Sequence, residues 1–171
     1  MRPLNSGKGA IKSRRSARYA ETSRSRSAKD RRHVRNPQEF TMSPKLIAVT
    51  GALLAAAGVG LGAFGAHGLE NFLRELGREA DLAKRLAWFE TGVKYQLYHA
   101  LGLVAIAALA ISFQGSGLRA AAIAFILGVV LFSGSLYGMT FLGEEWRKLG
   151  MITPLGGLAF IVGWILVAVA A

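Results

Sequence analysis

Three polar side chains, Tyr95, Gln96 and His99, stand close together at the start of an apolar stretch. Residues three and four apart share a helix face, so Tyr95 and Gln96 both lie beside His99 on a helix. Polar side chains are costly in lipid and usually face protein or water. The group therefore has two interpretations: a hydrogen-bond cluster between helices, or a proton-relay or ligand site centred on the His99 imidazole.

Other polar residues could join this group. Ser133, Ser135, Tyr137 and Thr140 lie in a later apolar stretch and could supply hydrogen-bond partners. His67 and Glu90 stand at the edges of apolar stretches, but two ligands of unknown separation are too few to indicate a metal site. We predict no metal and no cofactor. The predicted polar cluster has seven members: His67, Glu90, Tyr95, Gln96, His99, Ser133 and Tyr137.

Little else in the sequence indicates catalysis. The chain has no cysteine, which excludes disulfides, thiolate metal sites and cysteine nucleophiles. The middle of each apolar stretch lacks Asp, Glu, Lys and Arg, which argues against a charge-coupled pump. We therefore predict a non-enzymatic protein with a structural or accessory role in the membrane. The alternative is a small proton- or solute-permeation protein that uses the polar cluster.

Four apolar stretches must position these side chains. They cover residues 46–66, 95–113, 118–142 and 152–170 in a chain that is 52% hydrophobic and 18% charged. A helix needs about 20 apolar residues to cross a bilayer. The sequence predicts an all-α integral membrane domain over residues 42–171, a bundle of four helices in which short connections make neighbours antiparallel.

The first loop, residues 68–94, is the only long polar connection and interleaves five acidic with five basic residues. Apolar residues recur in it at spacings of three and four, at Phe72, Leu73, Leu76, Ala80, Ala83 and Leu86. This period is typical of a one-sided helix. We predict a short amphipathic helix that lies on the bilayer surface or caps the bundle.

Small residues mark one face of the first stretch. They repeat at intervals of four and three, at Gly51, Ala55, Gly58, Gly62 and Gly65. In lipid, close backbone approach holds helices together because hydrophobic attraction between them is weak. We predict that these five residues, the glycine seam, pack against another helix.

The net charge of +11 belongs to the N-terminal tail, because residues 1–45 carry 13 Lys/Arg against 3 Asp/Glu. The fold itself is nearly neutral, so we predict the bilayer as partner, with self-association into a homo-oligomer and no nucleic acid. Residues 1–41 lack the apolar content to fold and are predicted to be disordered. Three origins for them stay open: an upstream stretch before a start at Met42, a basic tail on anionic lipid, or a targeting segment.

Orientation in the membrane stays open as well. One side of the bundle carries seven Lys/Arg in the first and third loops, and the other carries Lys45 and Arg119. The positive-inside rule would place the loops in the cytoplasm. The basic tail opposes that placement.

Four segments resemble a known family. They read GAFGAHGL at 62–69, FETGVKYQLYHA at 89–100, LFSGSLY at 131–137 and LGMITPLGG at 149–157. In this order they are similar to the signature of the domain of unknown function 423 family, also called UPF0382. The resemblance implies a small multi-pass protein of the bacterial inner membrane and assigns no catalytic residue. It covers none of residues 1–41, which favours Met42 as the start.

Overall fold

A computed structural model of the chain describes residues 42–113 and 115–170, and the predictions for residues 1–41 lie outside this part. The described elements are helical. They are α1 (Pro44–His67), α2 (Leu69–Glu75), α3 (Leu82–Ser112), α4 (Ser116–Gly128), α5 (Gly134–Phe141) and α6 (Thr153–Ala170). A π-helical segment, Val129–Ser133, joins α4 to α5, and 3-10 turns span Glu79–Asp81 and Glu144–Met151.

Four helices are long and apolar enough to cross a membrane, so the predicted all-α membrane bundle is confirmed for the described residues. The third span runs from Ser116 to Phe141 without a break. The helices pack in series, with α1 on α3, α3 on the third span and the third span on α6. Accordingly, 39% of the residues in the apolar part of the second span and 44% of those in the third are buried. In each outer span the share is 17%.

The first loop differs from its prediction. A short helix is present, but α2 ends at Glu75, and the residues from Leu82 onward already belong to the 31-residue α3. Gly77 ends α2 because it adopts a left-handed conformation (φ 67°), and the Arg78 amide then donates to the Leu73 carbonyl. This pairing is a Schellman ending, which favours glycine because glycine has no Cβ to clash.

α3 extends well beyond the apolar stretch that predicted it. At about 46 Å it is longer than the hydrocarbon core, so its first turns project beyond the apolar layer. The i,i+4 pairs Asp81–Arg85 and Glu90–Lys94 stabilise these turns, and Phe89 and Val93 face the interior. Hydropathy marks only the lipid-buried part of such a helix, so the helix itself begins well before residue 95, where the apolar stretch starts.

The third span contains a π-helical turn. The Gly134 amide donates to the Val129 carbonyl, five residues earlier, instead of the usual four. The extra residue in this turn rotates the helix face that follows it. It also brings the Phe132 backbone against Gly156 of α6, where a side chain would find no room.

Candidate functional site

A polar bridge formed by Gln96, Tyr137 and the Leu54 carbonyl joins three helices inside the membrane. Gln96, in α3, is only 4% exposed. Its Nε2 donates to the Leu54 carbonyl of α1 at 2.9 Å, and its Oε1 accepts from the Tyr137 hydroxyl of α5 at 3.0 Å. The side-chain amide thus has a protein partner at both ends, which is how a polar group is accommodated in a low-dielectric interior.

Two glycines make this bridge sterically possible. A Cβ on Gly58 would lie 2.7 Å from Leu97 Cδ2 and 3.4 Å from Gln96 Nε2, so the bare backbone lets α3 approach α1. A Cβ on Gly92 would lie 2.8 Å from the Tyr137 ring. Both positions need glycine because of this close approach and not because of backbone conformation.

Replacing Gln96 with leucine is expected to lower the free energy of unfolding by about 1 kcal/mol, because two interhelical hydrogen bonds are lost while volume is kept. The Leu54 carbonyl keeps its helical partner, which limits the loss. Unfolding in mixed micelles, followed by circular dichroism, measures the change. Tyr137→Phe removes one of the two bonds and should lose about half as much. Equal stability of Gln96→Leu and the unsubstituted protein would contradict a stabilising bridge.

His99 lies one turn further along α3 in an aromatic stack with Phe160, Phe125, Tyr95 and Trp164. Its ring is parallel to that of Phe160, with the centroids 3.4 Å apart and an interplanar angle of 9°. The Phe125 ring meets it edge-on at 5.0 Å. The residue is 4% exposed and packs as an aromatic ring between α3, α4 and α6.

The hydrogen bonds of His99 define its tautomer. The Trp164 indole can only donate, so His99 Nε2, 3.3 Å from Trp164 Nε1, acts as the acceptor. His99 Nδ1 therefore carries the hydrogen and donates to the Tyr95 carbonyl at 2.8 Å. Both nitrogens of a neutral imidazole are thus engaged, which leaves none free to pass a proton onward.

A groove of about 760 Å³ runs beside this stack, between α3 and α6. It is open to the surface of the bundle and is lined mainly by apolar and aromatic residues, among them Tyr98, Phe132, Leu158, Ile161 and Trp164. The groove borders His99 but does not extend to His67 or Glu90. The groove therefore places mainly apolar residues beside the imidazole. It does not connect the imidazole to His67 or Glu90 by a polar path.

The seven predicted cluster residues do not converge. Gln96 bonds Tyr137 and His99 bonds the Tyr95 carbonyl, whereas His67 is exposed at the end of α1 and Glu90 pairs with Lys94 at 2.7 Å. Ser133 is buried, and its hydroxyl has no hydrogen-bond partner among the described residues. Ser135, which was considered as a partner for the cluster, instead bonds Thr153 of α6 at 2.7 Å.

The glycine seam lies along α3. A Cβ on Gly51 would come within 2.8 Å of the Ala100 carbonyl, and one on Gly65 within 2.9 Å of the Phe89 ring. Gly62 differs, because a Cβ there would meet only Val93, at an ordinary 3.6 Å. Ala55 is half-buried in the same helix.

Sequence reasoning missed Arg85. The residue is 1% exposed, and its Nη1 donates to the carbonyls of Met139, Thr140 and Leu142 at 2.8–2.9 Å. Its Nε donates to Asp81 at 2.7 Å, and Asp81 in turn accepts from Arg147 of the third loop. Arg85 thus caps the C-terminus of α5, where unpaired carbonyls carry partial negative charge. In the sequence, only the four-residue spacing of Asp81 and Arg85 could have indicated that these two residues form an ion pair.

Part of the chain that forms the helical bundle matches a known protein family. The sequence profile of a family described as "Protein of unknown function (DUF423)" matches residues 61–157. The chain belongs to the DUF423 family. The membrane protein YwdK of Bacillus subtilis (strain 168), a UPF0382 protein, is 48% identical over 128 residues, which cover 74% of this chain and 96% of YwdK.

Further DUF423 relatives have similar coverage. A UPF0382 membrane protein of Haemophilus influenzae is 37% identical over 72% of this chain and 87% of its own length. The inner membrane protein YgdD of Escherichia coli (strain K12) is 33% identical over 76% of this chain and 92% of its own. No solved structure matches the chain. The DUF423 segment contains Gln96, Tyr137 and Arg85, while Leu54 of the polar bridge and Phe160 and Trp164 of the His99 stack lie outside it.

Proposed function

We propose that this DUF423 protein is a non-enzymatic, multi-pass protein of the bacterial inner membrane with a structural or accessory role. In this role its intramembrane polar residues hold helices together and do no chemistry. One observation carries the proposal: both ends of Gln96 and Nε2 of His99 are occupied by partners from neighbouring helices, and Nδ1 of His99 is occupied by the Tyr95 carbonyl of its own helix. The inner-membrane location is supported by the name of the Escherichia coli relative.

Permeation is the competing function, and it needs a continuous polar path. His67 is exposed and Glu90 is already paired with Lys94, and neither contacts the Gln96 bridge or the His99 stack. Between these groups α3 presents Phe89 and Val93, which are buried and apolar. Water does not enter a dry apolar region of this kind without polar partners.

Two substitutions at His99 distinguish the two functions. His99→Phe keeps a ring on Phe160 but removes both nitrogens, so we expect a folded protein whose stability changes by about 1 kcal/mol or less. His99→Ala removes the ring from the stack and should cost about 3 kcal/mol, as large-to-small core changes do. Chemical unfolding in micelles measures both values.

The functional measurement uses proteoliposomes loaded with a pH-sensitive dye. Under the structural role, proton flux in vesicles with the unsubstituted protein equals that of protein-free vesicles, and His99→Phe changes nothing. A flux that is present in the unsubstituted protein and lost in folded His99→Phe would refute the structural role and support permeation. The predicted homo-oligomer stays a prediction, and mass measurement of the detergent-solubilised protein tests it.

A further inference from the structure

A second groove, of about 450 Å³, lies at the loop end of the bundle, between α1 and α3. It is separate from the polar bridge and the His99 stack, and an inference from it does not rest on the proposed role. Its lining is mostly apolar, with one ion pair: Gly62, Gly65, Ala66, Leu69, Leu86, Phe89, Val93, Glu90 and Lys94.

Gly62 keeps this groove open. Gly51, Gly58 and Gly65 lack a side chain because a Cβ there would press into α3, with contacts under 3 Å. A Cβ on Gly62 would make only an ordinary 3.6 Å contact with Val93, so helix packing does not require glycine at this position. The absence of a side chain at Gly62 instead leaves space along the groove.

The two members of the ion pair at this groove have opposite charges, so the pair has no net charge. Lys94 Nζ and Glu90 Oε1 are 2.7 Å apart, and the two side chains are 55% and 67% exposed. Gly62 lies five residues before the end of α1, which places the groove about 7.5 Å inside that end. The exposed Glu90–Lys94 pair belongs to the turns of α3 that project beyond the apolar layer, so its charges can reach the headgroup region.

We infer that this groove binds a zwitterionic phospholipid that carries a primary amine, with an acyl chain along Gly62 and the headgroup on the Glu90–Lys94 pair. The Lys94 ammonium complements the phosphate, and the Glu90 carboxylate complements the lipid ammonium. Charge complementarity favours this headgroup over an anionic one, because a lipid that lacks the amine would leave Glu90 beside a negative charge.

A quaternary ammonium provides the sharpest comparison. Phosphatidylcholine has the same charges as phosphatidylethanolamine but no N–H group, so it cannot donate a hydrogen bond to Glu90. Losing a charge-assisted hydrogen bond of this kind is expected to weaken binding about tenfold, which corresponds to about 1.4 kcal/mol. The headgroup and not the acyl chain should therefore decide occupancy.

The test measures lipid retained by the full-length protein. Purified protein is incubated in detergent with equal amounts of phosphatidylethanolamine, phosphatidylcholine and phosphatidylglycerol that have identical acyl chains, and bound lipid is counted by native mass spectrometry. We expect phosphatidylethanolamine to be retained about tenfold over each of the others. Equal retention of all three, or preference for phosphatidylglycerol, would overturn the inference.

Two variants locate the site. Gly62→Leu fills the groove and should abolish the preferential retention, whereas Gly60→Leu, on the same helix but with open space around it, should not. The double variant Glu90→Gln, Lys94→Gln removes the charges from exposed positions and should abolish headgroup discrimination, even if Gly62→Leu proves unstable. Unchanged discrimination in the double variant, or a dimer that dissociates in Gly62→Leu, would overturn the lipid assignment.

Discussion

Replacing Arg85 with methionine is expected to lower the free energy of unfolding by about 3 kcal/mol, the lower end of the cost of removing one partner from a buried ion pair, because Asp81 is 16% exposed and keeps Arg147. Arg85 is 1% exposed and binds three backbone carbonyls together with Asp81. Methionine fills similar space but donates no hydrogen bond, so the end of α5 loses its cap. Denaturant titration in mixed micelles, followed by circular dichroism, measures the difference.

Arg74 provides the matched control for this prediction. It also pairs with an acidic residue four positions away, Glu70, at 2.8 Å, but both side chains are exposed. Arg74→Met should therefore leave the free energy of unfolding nearly unchanged, because an exposed ion pair contributes little. Arg85→Lys should fall between the two, since an ammonium lacks the planar fork that reaches several acceptors. If Arg85→Met and Arg74→Met cost the same, the capping role of Arg85 is wrong.

Gly156→Ala is expected to destabilise the protein by about 2–3 kcal/mol, the upper part of the range for overpacked positions. A Cβ at Gly156 would overlap the backbone nitrogen of Phe132, in the π-helical turn of the third span. A backbone atom cannot rotate away as a side chain can, so α6 must shift as a whole. The same shift would disturb the Phe160–His99 stack.

The adjacent glycine is the control here. A Cβ at Gly157 would meet only the Phe132 ring, at 3.8 Å, which is an ordinary contact. Gly157→Ala should therefore stay within about 0.5 kcal/mol of the unsubstituted protein. Unfolding midpoints of both variants, together with Trp164 fluorescence as a report on the His99 stack, check the pair. Equal losses in both variants would show that the close approach of α6 to the π-helical turn is unimportant.

The polar residues show how much of the candidate site could be predicted from the sequence. Spacing alone predicts Tyr95, Gln96 and His99 on one side of a helix, and in the structure Gln96 joins the polar bridge while Tyr95 and His99 belong to the aromatic stack. Spacing within one helix says nothing about distance to residues on another. The structure accordingly joins Tyr137 to Gln96 but leaves His67 and Glu90 elsewhere.

Arg85 is the opposite case. It is buried, but the charged composition of the first loop did not indicate this. Arg85 lies in the polar first loop, which interleaves acidic and basic residues, and the sequence predicts there a short helix that lies on the bilayer surface or caps the bundle. Only the end of α5, 54 to 57 residues away in the chain, supplies the carbonyls that bury the guanidinium. Partners at such separation leave no periodic pattern in the sequence around Arg85.

The sequence by itself determined that four apolar stretches cross a membrane, because length and hydropathy depend only on local composition and on the thickness of the bilayer. Tertiary structure alone decided what the polar side chains do there. It set the register of α3 against α1, α5 and α6, and that register gives both ends of Gln96 and Nε2 of His99 their partners on other helices. Hydrogen bonds act over about 3 Å, so their partners follow from packing and cannot be read from spacing along the chain.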